Sequence, residues 1–126
     1  MSIVAVISAK GADEDGKDCA IEFWGDAPKE EVSTYLAAYP SLFTGAKARV
    51  AKVPHHGSRS SLADRFYDRL RGNAAVISVG NNSYGHPSNE VLDAASRSLV
   101  RIWRTDLHGA VTVRFAPLRT SVRSYR

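Results

Sequence analysis

The sequence predicts a layered α/β fold, on three observations. Short apolar, β-branched runs alternate with stretches that carry helix-start signals. Polar and Gly-rich clusters fall directly after the apolar runs, where the strand ends of such a sheet open onto a crevice. The 126 residues, 44% hydrophobic and 24% charged, suit a single folded core, since a chain of this length buries roughly two-thirds of its extended surface.

Taken in order, Ile3 to Ile7 and Cys19 to Trp24 read as an antiparallel hairpin. Gly25-Asp26-Ala27-Pro28 stops the second strand, and Pro28 suits the first turn of a helix running to about Tyr39, with Asp26 or Ala27 as its cap. Val32, Tyr35, Leu36 and Tyr39 give that helix an apolar face. After a loop, a strand at about Ala48 to Val53 ends in Pro54-His55-His56-Gly57-Ser58. Ser61 to Asp64 resembles a capping box, and Leu62, Phe66 and Leu70 recur at four-residue spacing, so a helix is expected after the histidines.

Ala74 to Val79 is a short buried strand, and 80–87 is a loop. Ser88 can cap a helix carrying Val91, Leu92 and Ala95. Leu99 to Trp103 and Ala110 to Phe115 then flank a turn at 105–109. The predicted order is β-β-α-β-α-β-α-β-β over residues 1–115, followed by a basic tail at 116–126.

Formal charge is uneven: residues 1–50 hold five Lys/Arg and eight Asp/Glu, residues 51–126 twelve and five. The surplus favours an anionic partner such as a phosphate-bearing substrate, though arginines scattered over a solvated face are the commoner explanation of such a balance. A lone Cys19 cannot form an internal disulfide, and no apolar run approaches the about eighteen residues of a membrane span. The apolar start lacks the basic region and length of a signal peptide, so a cytoplasmic, non-membrane protein is expected. There is no phosphate-binding glycine loop, no Cys-x-x-Cys and no nucleophile elbow.

The residues left to carry chemistry are Asp26 and the histidines. Asp26 follows a strand and a glycine, which leaves a ligand room to approach, yet a carboxylate there also serves as a helix cap. His55 and His56 at a strand end turn at least one imidazole toward the crevice, as a metal ligand or as a cap on backbone groups. Tyr84-Gly85-His86-Pro87 adds a third imidazole and a hydroxyl, or simply closes a loop. His108, in a turn, is expected to be exposed.

Read together, IEFWGDAP, KVPHHGSRSS, AAVISVGNNSYGHPSNEVL and RIWRTDLHGAVTV resemble, in order and across most of residues 3–113, the metallo-β-lactamase superfamily, in particular competence-protein-like hydrolases related to the carboxy-terminal domain of the DNA-uptake channel protein. The resemblance implies the carboxy-terminal half of an αββα sandwich. It implies that Asp26 bridges two metal ions, Zn²⁺ or Mn²⁺, that His56 is a further ligand with His55 beside it or as the alternative, and that His86 and Ser58 line the site. The implied chemistry is metal-assisted hydrolysis of a phosphodiester or other polarised centre.

The His-x-His-x-Asp-His cluster of that family does not occur in these 126 residues. A catalytic zinc normally takes three protein ligands plus water. Three arrangements follow: a split hydrolase completed by an amino-terminal half-domain on another chain, a homodimer that uses the surviving residues differently, or a non-catalytic interaction or nucleic-acid-binding module. Without the other half, the sheet should expose an apolar face.

Overall fold

The computed structural model describes residues 1–11, 18–44, 46–115 and 121–125. Strands β1 (Ala5–Ala9), β2 (Cys19–Phe23), β3 (Ala48–Lys52), β4 (Ala74–Ile77) and β5 (Arg101–Arg104) form one sheet in that order. The β1–β2 pair is antiparallel, as expected of the opening hairpin, and every later pair is parallel. Helices α1 (Lys29–Ala38) and α2 (Pro40–Thr44) link β2 to β3, α3 (Asn89–Arg97) links β4 to β5, and α4 (Thr105–His108) follows β5. The molecule is a mixed α/β protein.

Strand pairing sorts the sheet residues onto two faces. Val6, Glu22, Ala51, Ala75, Ile77 and Ile102 share one of them. On it sits the core, where Trp24, Val32, Phe43, Phe66, Leu70, Val91 and Ala95 pack. Trp24 stacks on Phe43 (4.9 Å between centroids) and meets Phe66 edge-on (5.4 Å). The other face carries Ile7, Ile21, Phe23, Val50, Val76 and Trp103, none of which belongs to the core cluster.

A cleft of about 490 Å³ over the β3–β5 part of that second face is lined by Val50, Trp103 and Val122 among others. Toward β1 it is open: Ile7 is 60% exposed and Phe23 41% exposed, with Ile3 at 86% beside them. An apolar patch at the sheet edge is thus present, as the sequence led us to expect.

The core contains a charge cluster that alternation conceals. Glu22 is fully buried. Its carboxylate accepts from Arg49 (2.5 Å), from both terminal nitrogens of Arg69 (2.7 and 2.6 Å) and from Trp24 Nε1 (2.7 Å). The Arg69 guanidinium also lies over Phe66 at 4.7 Å. Two guanidinium groups and an indole thus replace the water that a buried carboxylate loses.

Several expectations are corrected. The segment after the histidines is no continuous α-helix but single 3₁₀ turns at Arg59–Ser61 and Asp68–Leu70. Arg65 takes a positive φ of 65° there, which a right-handed helix cannot contain. Leu62, Phe66 and Leu70 still face inward, so their spacing reported burial and not helicity. Ser61 does not open a capping box, because its buried hydroxyl donates to the Pro54 and Ser58 carbonyls.

The last two predicted strands do not pair with each other. β5 joins β4 in parallel, with α3 as the crossover, whereas β6 (Ala110–Arg114) pairs antiparallel with β7 (Ser121–Tyr125) in a separate two-stranded sheet. Residues 121–125 of the expected tail are therefore a strand; 116–120 and 126 lie outside the described residues. His108 is half-buried, accepting from the Arg104 amide at Nδ1 (2.9 Å) with its ring 5.4 Å from Trp103.

Candidate functional site

Because β2 to β5 run parallel, their carboxyl ends leave the sheet along one edge, and the loops that follow them meet there. After β2 the chain turns at Gly25, whose φ of +55° is the left-handed region that glycine enters most easily. The Gly25 carbonyl accepts from the His55 amide (2.9 Å) and from Lys52 Nζ (3.0 Å), which sews this turn to the end of β3. The cap of α1 is Pro28, with no side-chain cap bond. Asp26 is therefore not a helix cap, and its carboxylate, 64% exposed, is left for other work.

Following β3, His55 (φ 45°), His56 (φ 54°) and Gly57 (φ 80°) are consecutive left-handed residues. Such conformations cost about 1–3 kcal/mol each for ordinary residues and persist where surrounding contacts enforce them. One enforcing contact is Pro87: a Cβ on Gly57 would sit 2.7 Å from the Pro87 Cβ, and the Gly57 carbonyl accepts from the Ser88 amide (3.0 Å).

The turn sets the His56 ring between two partners. Nδ1 lies 2.6 Å from the Ser78 carbonyl just past β4, and Nε2 lies 3.7 Å from Asp26 Oδ1. A carbonyl oxygen only accepts, so Nδ1 carries the hydrogen. With Nδ1 holding its hydrogen, it is the neutral form of the ring that has an Nε2 lone pair on the Asp26 side. His55 occupies a different place: its ring is 6.3 Å from that of His56 and 5.7 Å from that of His86.

The loop after β4 is tied by one side chain. Asn82 donates to the Gly80 and His86 carbonyls (3.0 and 2.9 Å) and accepts from the Tyr84 and His86 amides (3.1 and 3.0 Å). Tyr84 stacks on His86, 5.9 Å between centroids at 25°. Thr105, at the end of β5, accepts from the Val79 amide (2.8 Å) and donates to the Val79 carbonyl (2.7 Å), fixing the root of the same loop. Ser58 is buried, and its hydroxyl is engaged with Ser60 as a cap.

Lys52 adds the cationic group of the site. Partial burial holds its ammonium below the ordinary lysine value, and the Asp26 carboxylate opposes that shift. Sequence reasoning left Lys52, Asn82, Ser78 and Thr105 unassigned. A lysine closing an apolar strand was a visible sign; a backbone carbonyl as the orienter of His56 leaves none.

Of the expected site residues, the structure brings together Asp26 and His56, and sets the His55 ring between those of His56 and His86. Among the described residues no three or more His, Cys, Asp or Glu side chains gather in a way that could hold a metal ion. Nor is any described helix long and apolar enough to cross a membrane.

Comparison with known proteins places the chain beside competence proteins. It is 38% identical over 92 residues to ComE operon protein 3 of Bacillus subtilis, covering 72% of this chain and 11% of that protein. Competence protein ComA of Neisseria gonorrhoeae is 28% identical over 112 residues, covering 81% of this chain and 16% of that protein. Recombination protein 2 of Haemophilus influenzae is 27% identical over 114 residues, covering 90% and 14%. The chain thus spans between a tenth and a sixth of the length of these curated relatives. No protein-family model matches it, and no solved structure does.

Proposed function

We propose that the chain is part of a metal-dependent phosphodiester hydrolase of the metallo-β-lactamase type, acting on DNA, with Asp26 and His56 as one side of its metal site. The observation that carries this reading is the orientation of His56: a backbone carbonyl holds Nδ1, and Nε2 faces a carboxylate that caps nothing. Metal-binding histidines are typically oriented by such a bond on the other ring nitrogen. The 3.7 Å gap is also close to the about 3.4 Å that separates two donors, each about 2.1 Å from a tetrahedral ion.

Two donors are fewer than the three protein ligands of a catalytic zinc, so the described residues fit such an ion only in part. The rest would come from outside the described residues, on the same polypeptide or another. Zn²⁺ or Mn²⁺ held there would supply a bound water of lowered pKa. This chain's own contribution is orientation. The Ser78 carbonyl holds the His56 ring, the Gly25 carbonyl holds Lys52, and the Lys52 ammonium supplies positive charge beside the pair for an anionic substrate.

The apolar face with Ile3, Ile7 and Phe23 supports the same reading, since a second sheet laid against it would complete a sandwich and cover these side chains. An amino-terminal half-domain or a second copy would serve. The names of the relatives, competence and recombination proteins, favour a DNA substrate.

Zinc and manganese content, together with hydrolysis of a model phosphodiester, tests the proposal. Loss of both in the Asp26→Ala, His56→Ala double variant is expected; hydrolysis indifferent to Asp26→Ala would refute it. The shortage of donors favours one rival, a non-catalytic nucleic-acid-binding module. That rival predicts salt-sensitive DNA binding, from release of counterions, that ignores both substitutions.

A further inference from the structure

At the mouth of the site stands an aromatic column that the hydrolytic reading does not use. Tyr84 is 81% exposed, large and apolar on both ring faces. Beneath it His86 stacks nearly parallel, and His55 then meets His86 edge-on at 5.7 Å and His56 at 6.3 Å. The series leads from solvent to the ring that faces Asp26.

Exposure alone would say little, but this ring is held. Asn82 uses its amide for four bonds within the loop, two of them to the backbone amides of Tyr84 and His86. The loop is pinned below by Pro87 against Gly57 and by the Ser88 amide on the Gly57 carbonyl. An ordered loop thus holds out a ring whose outer face no described side chain covers, and ordering in advance lowers the entropy cost of binding a flat ligand.

We infer that Tyr84, backed by His86, is a stacking platform for an unpaired nucleobase, so that the substrate of the adjacent site is single-stranded. Every base has a π-face, which makes such a platform tolerant of sequence, and a base inside a duplex cannot offer that face to it. The inference rests on the nucleic-acid reading above but not on the metal. A nucleotide stacked on Tyr84 would lie with its backbone running past His55 toward Asp26, His56 and Lys52.

Binding of the 126-residue chain to a fluorescent thymidine oligonucleotide, and to an abasic oligonucleotide of equal length and charge, isolates the base. Chelator is kept in the buffer throughout, so that metal binding and hydrolysis do not enter the measurement. The expected result is tighter binding of the base-bearing strand by about five- to a hundredfold. That difference should disappear in Tyr84→Ala and persist in Tyr84→Trp. Because Tyr84 is solvent-exposed, its truncation leaves the core intact, and a far-ultraviolet spectrum checks this. Equal affinity for the two strands, absence of binding, or a difference that survives Tyr84→Ala would overturn the inference. Loss of metal in the Asp26 and His56 variants alongside such a failure would leave the hydrolytic reading standing.

Discussion

Strand β2 delivers two carboxylates, four residues apart, to opposite fates. Glu22 is enclosed and accepts from two arginines and a tryptophan. Asp26 stands mostly in solvent and faces a histidine nitrogen across 3.7 Å. A carboxylate whose lone pairs are saturated by fixed donors has nothing left to offer a ligand and serves the fold. One held in place by its turn yet incompletely paired is available for chemistry.

That contrast is open to attack, first at its structural end. Glu22→Ala strands the buried Arg49 guanidinium and the largely buried one of Arg69 and is expected to cost about 3–5 kcal/mol; urea unfolding measures it, and a loss below about 1 kcal/mol would mean that the cluster is mere filling. Gly57→Ala should come next, at about 1–3 kcal/mol, because a side chain there meets Pro87 and must hold a φ of +80°. Thermal melts of this variant and of Gly72→Ala, which shares a positive φ (+75°) but whose Cβ would meet nothing within 4 Å, separate crowding from the strain of the left-handed backbone.

At the functional end, Asp26→Ala should leave stability within about 0.5 kcal/mol while abolishing zinc retention. A destabilisation matching that of Glu22→Ala would erase the contrast. The smallest effect concerns Lys52. Its folded pKa lies below the ordinary value of 10.5, so between the two the unfolded chain binds more protons, and stability rises with pH through that window. Replacing Lys52 by Met removes this rise, and Asp26→Asn, by deleting the opposing charge, widens it; denaturation midpoints between neutral and alkaline pH read both.

The opening hairpin, α1, α3 capped by Ser88, and the strands before each polar cluster were legible because their signals are local: periodicity, proline, a capping serine. What failed was nonlocal. Nothing local in Ile21-Glu22-Phe23 marks the acid as the member that faces the core. Glu22 turns inward to arginines 27 and 47 residues away, and Phe23 faces the open side. Similarly, β6 selects Ser121–Tyr125 over its sequence neighbour β5, which the α3 crossover has already committed to β4. In the site, the Asp26 and His56 positions were legible from residue type at a strand end. Their mutual orientation was not, since it depends on the Ser78 carbonyl and on left-handed turns that carry no side-chain signature.

The Glu22 cluster has a mechanical consequence. It clamps β2 to β3 through Arg49, and both to the 3₁₀ segment through Arg69, just upstream of the turns that carry Asp26 and His56. The two arms of the site therefore spring from one stiff root. Amide hydrogens of β2 and β3 should exchange only when the whole domain opens, and the spacing of the pair should stay constant on warming until the protein melts as a unit.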